Sequence, residues 1–152
     1  GAGDTAAILP MVARWCTMPV PAEITAPLAR AGLAAMLRSG FTGVVDAGGP
    51  GVEGVWEAAA DVGIRAAVGP SVADQWHDDA GDLVRQADAG AVLQAAEDFV
   101  DRRDRPGGRQ RPLVSAVEVM ACSDELLAGI ADLCPVRVSI RDHQHHRRDD
   151  DR

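Results

Sequence analysis

An α/β fold built on a parallel sheet is the class this sequence predicts, and three observations predict it. An amphipathic helix, a closing glycine or proline and a short apolar run leading into a loop recur four times along the chain. Parallel neighbours cannot be joined by a tight hairpin, so a helix between successive strands is the connection such a sheet requires. The strand runs are nearly continuous in apolar residues instead of alternating, which predicts that both faces of the sheet are covered. With 152 residues, 47% of them hydrophobic, the chain can bury one core, yet it is shorter than the roughly 250 residues of a closed eight-stranded barrel.

The elements follow in order. Residues 4–14 suit a short helix, and Pro19 and Pro21 mark an extended connection. Thr25 reads as the N-cap of the next helix, with Pro27 in its first turn, Leu33, Met36 and Leu37 on one face, and Gly40 ending it in a left-handed conformation. A first strand spans 42–46. After the loop 47–51, Val52, Val55, Trp56 and Ala59 recur at helical spacing until Gly63. A second strand, 64–69, is followed by Pro70 and a polar loop carrying Asp74, Trp76, His77, Asp78 and Asp79. Residues 82–103 read as helical, with Val92, Ala96, Phe99 and Val100 on one face and Gly90 as a point of division. A charged turn at 105–111 leads to a third strand at 113–120. Ser123 is an N-cap, with Asp124 and Glu125 where the helix dipole favours negative charge, and Leu126, Leu127, Ile130 and Ala131 form the buried stripe. Pro135 stops that helix before a fourth strand at 136–140. Residues 1–140 thus read as one domain, and 141–152, without an apolar residue, as a disordered tail.

Composition excludes several functions. A net charge of −8 argues against nucleic acid or an anionic membrane as partner, and a small neutral or cationic ligand suits it better. The chain contains no Lys, Asn or Tyr, a bias that GC-rich codon usage explains; it nevertheless rules out a Schiff-base or phosphate-loop lysine. Cys16, Cys122 and Cys134 form no CxxC pair, so neither a disulfide framework nor a zinc ribbon is indicated. The absence of a long apolar stretch and of a leader-like start points to a soluble cytoplasmic protein.

In parallel folds the ligand sits at the carboxyl ends of the strands, which here receive Asp46, Asp74, Asp78, Asp79, Glu118 and Asp142. Such carboxylates could hold a metal or serve as general acid and base, and the plainer reading is that they are solvated. Gly49, Gly51 and Gly54 fit GxGxxG between a strand and a helix, the context of a dinucleotide fingerprint; Pro50 and the Gly69-Pro70 end of the second strand speak against it. His143, His145 and His146 could chelate a transition metal, although they lie among Arg and Asp without packing partners. His77 beside Trp76 reads as a surface residue, and no His stands in a recognisable relation to a cysteine.

Taken together, the run from Leu33 through Gly40 to Asp46, the run from Gly63 to Pro70 and the phrase Cys122-Ser123-Asp124-Glu125-Leu126-Leu127 resemble the metal-dependent amidohydrolase superfamily. The likeness is to its branch of cytosine, guanine, chlorotriazine and thiomethyladenosine deaminases, and covers roughly residues 26–140. The resemblance implies a (β/α)8 barrel in which zinc or iron activates water to attack a C–N or C–Cl centre. It also implies a His-x-His metal pair on a strand preceding Gly1. The family's substrate-contacting His falls at Val117, its next metal-binding His at Ser139 and its proton-shuttling glutamate at Asp142. Its last metal-binding Asp belongs to a strand beyond this sequence.

The leading expectation is therefore a partial barrel of about four parallel βα units, descended from a hydrolase of cyclic C–N bonds and lacking the ligands for its metal. The polar run from Arg141 is what a truncated or frameshifted product would carry. Catalysis by this chain alone would be weak or absent, with Asp142 in the catalytic position, Glu118 and Asp46 as substrate contacts, and no metal ligand. A partner chain or second copy could join through open sheet edges. The alternatives are a small nucleotide-binding module using Gly49, Gly51 and Gly54, and a non-catalytic interaction domain.

Overall fold

The computed structural model describes residues 11–133, apart from 13, 79–81 and 106. The expected helix before residue 11, the stop at Pro135, the strand at 136–140 and the tail at 141–152 lie outside the described residues. Positions 11–12 and 14–16 are helical, and an extended stretch leads to α1 (Ala22–Arg38). There follow β1 (Gly43–Asp46), α2 (Val52–Val62), β2 (Arg65–Val68), β3 (Ser71–Val72), β4 (Gln75–His77), β5 (Leu83–Arg85) and α3 (Ala89–Asp101). The chain continues through β6 (Gln110–Pro112), β7 (Ser115–Ala116), a 3-10 turn (Val119–Ala121) and α4 (Asp124–Leu133).

Glycines set the helix ends. Gly40 has φ +93° and donates to Leu37 O at 3.1 Å, while Phe41 N–H donates to Met36 O at 3.1 Å, the paired bonds of a Schellman end. Gly51 and Gly63 flank α2 in left-handed conformations. The start of α1 differs from the sequence expectation: Pro21 occupies the N-cap and Thr25 already lies within the helix. The Thr25 hydroxyl is used elsewhere, donating to Gly51 O at 3.1 Å.

The segment after β3 also departs from expectation. Residues 83–85 are strand, pairing antiparallel with β4 so that Trp76 faces Val84. α3 starts only at Ala89, because the Asp88 carboxylate accepts the Ala91 N–H at 2.8 Å and fixes the helix end there. Gly90 lies in the first turn and divides nothing. The third strand starts earlier than expected, because Gln110 must stand opposite Ala66 for β6 to pair with β2.

β1, β2 and β6 form a parallel sheet in that order. β3 and β7 prolong β2 and β6 in unchanged register, Ser71 opposite Ser115. Between them, Leu113 N–H donates to Val68 O and Ser115 N–H to Pro70 O, both at 3.1 Å, so the two chains stay bonded past the break. Gly69 is required there: a Cβ would stand 1.5 Å from the Leu113 carbonyl oxygen.

The helices cover one face of this sheet. Ala66 and Val68 pack with Ile64, Leu33 of α1 and Ala58 and Ala59 of α2. Val72 and Val114 pack with Ala89, Ala96 and Val100 of α3 and Leu126 of α4. Full burial of Ile64 or Leu126 contributes about 1.5–3 kcal/mol each. On the opposite face Val45 is 76% exposed and Arg65 and Arg111 are exposed. Among the described residues one face is therefore bare, where the apolar runs predicted two covered faces. No helix among them is long and apolar enough to cross a membrane.

Candidate functional site

The carboxyl ends of the strands carry the residues expected to hold chemistry, and the structure gives Asp46 and Asp74 specific tasks. Asp46 ends β1 half-buried, and its Oδ1 accepts the Gly48 N–H at 3.1 Å, closing a turn on itself. Ser71 Oγ donates to Ala47 O at 2.5 Å across the same loop. Gly48 has φ +99°, and a Cβ there would meet Ser71 N at 2.3 Å.

Asp74 is completely buried. Its carboxylate accepts the Ser123 N–H at 2.7 Å and the Ser123 hydroxyl at 2.6 Å, and Arg85 Nη1 stands 3.5 Å away. The Ser123 hydroxyl in turn caps α4 by accepting the Leu126 N–H at 3.3 Å. Arg85 continues to Glu125 at 3.2 Å, and Gln75 Nε2 donates to Met120 O and Cys122 O. One carboxylate thus ties the β4–β5 hairpin to the start of α4. Beside it Cys122 donates to Val72 O at 3.4 Å, and burial, helped by the negative charge of Asp74, pushes its thiol up to about 11 against an opposing backbone hydrogen bond at Val117. That thiol is a packed group and no nucleophile at neutral pH.

Glu118 is half-buried in extended conformation ahead of the 3-10 turn, where its carbonyl accepts the Ala121 N–H at 3.1 Å. His77 ends β4 opposite Leu83. No three His, Cys, Asp or Glu side chains among the described residues converge on a point that could hold a metal. Asp46 is turned into its own loop and Asp74 is saturated by Ser123 and Arg85, so this donor set does not fit zinc or iron. Asp142, Ser139, His143, His145 and His146 lie outside the described residues.

Two glycines of the GxGxxG run, Gly51 and Gly54, serve helix packing. A Cβ on Gly51 would stand 2.3 Å from Thr25 Cγ2, and one on Gly54 would stand 2.0 Å from Thr25 Oγ1 and 2.6 Å from Ala26 N. At Gly51 and Gly54 the room left by the missing side chain is taken by α1.

Between α2 and α3 lies a cleft of about 730 Å³, closed on one side by residues 16–21 and at the end by Trp76. Its floor is apolar, and the Glu53, Arg102 and Arg103 side chains gather at its margin. Arg103 lies over the Phe99 ring, 4.1 Å from its centroid, and Phe99 meets Trp56 edge-on at 6.0 Å. Burial pulls the Arg103 guanidinium below its ordinary pKa.

The sequence had shown Asp74 as a carboxylate of a polar rim loop and Ser123 as a cap. Nothing local links them, because 49 positions separate the pair.

No protein-family model matches this chain, and no curated protein matches it in sequence. Among solved structures, a triazine hydrolase variant superposes with a TM-score of 0.64 and 22% sequence identity, over 87% of this chain and 32% of that one. The two share a fold. The described chain has the mixed α/β arrangement, with parallel strands, of part of that hydrolase, and the match takes in about a third of the hydrolase's length.

Proposed function

We propose that this chain is an amidohydrolase-type α/β scaffold, descended from a metal-dependent hydrolase of C–N bonds in cyclic substrates and without turnover of its own. The observation that carries the reading is a coincidence of position. The sequence phrases similar to amidohydrolases fall on the end of α1 with β1, on β2 and on the capped start of α4, within the fold shared with a triazine hydrolase. In this reading the chain supplies consecutive βα units of a barrel. Its bare sheet face would line the interior, Asp46 and Glu118 would border the substrate side, and Asp142 would occupy the proton-shuttle position.

The metal is the decisive point. Zinc or iron would supply activated water in such a hydrolase, and the described donor set has no place for it. Turnover would need a partner chain that brings the ligands and pairs with the open sheet edges, and a cytoplasmic setting suits the reduced thiols. A non-catalytic interaction domain is the second reading, favoured by the exposed Val45 face. Elemental analysis of the purified chain, with hydrolysis assays on aminotriazines, aminopyrimidines and aminopurines, tests the proposal. Substoichiometric zinc and iron with no turnover is the expected result; one metal per chain with turnover would overturn it.

A further inference from the structure

We propose that the cleft between α2 and α3 is a binding site for a small aromatic monocarboxylate, a site on the helix side of the sheet and independent of the hydrolase reading. Its volume of about 730 Å³ falls within the range of small-molecule pockets, about 300–1,000 Å³. α3 lays Val92, Ala96 and Phe99 along one wall, Val52 of α2 faces them, and Trp76 and Met18 close the opening. Ring faces and aliphatic side chains in this arrangement receive a flat apolar body.

The margin of the cleft fixes the charge of the occupant. Glu53 faces two guanidiniums, pairing with Arg103 and standing 3.7 Å from Arg102 Nη2. Arg103 is committed: it lies over Phe99, donates to Phe99 O at 3.4 Å, and is only 15% exposed. Arg102 lines the cleft at 60% exposure and shares a single carboxylate that Arg103 already engages. Two guanidiniums thus share one carboxylate, which leaves the exposed Arg102 as the group that a ligand carboxylate would meet. This proposal departs from the neutral or cationic ligand suggested by the chain's net charge of −8, because it rests on the arginine at the cleft and not on the whole chain.

The test is a calorimetric titration with 2-naphthoate and its uncharged analogue 2-naphthamide, on the chain and two variants. Arg102→Gln changes an exposed residue, and Ala95→Trp fills the cleft from an exposed position on α3. Circular dichroism verifies that both remain folded. The proposal predicts saturable 1:1 binding of naphthoate, tighter than that of the amide. Arg102→Gln should weaken naphthoate about tenfold, the scale of one charge-assisted contact, and leave the amide unchanged. Ala95→Trp should abolish both. No saturable naphthoate binding, equal affinity for acid and amide, or indifference to either substitution would overturn it.

Discussion

Gly54 stands where α2 packs closely on α1, its missing side chain replaced by the Thr25 hydroxyl. Gly54→Ala forces a Cβ against the Ala26 and Ala22 backbone and should destabilise the fold by about 1–3 kcal/mol, read as a lower urea midpoint. Gly32 is the control. It lies in α1 with nothing within 4 Å of a built Cβ, so Gly32→Ala should stabilise by about 0.5–1 kcal/mol. Cys122 gives a prediction in pH. Its folded thiol holds the proton more tightly than an ordinary thiol of pKa 9.0, so its contribution is complete below that value and is lost as the pH rises to about 11. The sequence has neither Tyr nor Lys to titrate in that window. Thermal unfolding midpoints should therefore fall between pH 9 and 11, and Cys122→Ala should flatten the decline; identical profiles would contradict the assignment.

At the scale of elements, the hairpin β4–β5 and the start of α4 are held by Asp74. Replacing it with Ala leaves the buried Ser123 N–H and hydroxyl without their acceptor and should cost about 3 kcal/mol, whereas Asp74→Asn keeps one acceptor and should cost about half as much. Equal losses in chemical denaturation would mean that the charge carries nothing. The same elements show what a sequence can convey. The end of α1 at Gly40, the span of α2 between Gly51 and Gly63 and the Ser123 cap were legible, because a left-handed glycine or a capping hydroxyl acts within one helical turn. The hairpin was not, since the Trp76–Val84 pairing depends on a partner strand and the run 83–85 carries the same apolar residues a helix would. The rim carboxylates were legible as positions and not as roles. Whether Asp46 closes its own turn or Asp74 is buried against Ser123 is decided by contacts between distant segments. The glycines of the GxGxxG run fitted a nucleotide loop by spacing, and only the position of Thr25 assigns Gly51 and Gly54 to packing.

For the molecule as a whole, helices lie on one side of a parallel sheet whose other side carries Val45, Arg65 and Arg111 in the open. The barrel arrangement proposed for this chain accommodates this asymmetry, since one side of a barrel strand meets helices and the other meets the barrel interior. A doubly wound sheet would instead bury both faces. Cysteine labelling of single substitutions on the purified chain reads this directly, with each thiol resolved by peptide mass spectrometry. Val45→Cys should react with iodoacetamide at nearly the rate of an unfolded peptide, while Ala66→Cys, 5% exposed one strand away, should stay protected until global unfolding. Equal protection at both positions would contradict a one-sided sheet and the barrel-type reading built on it.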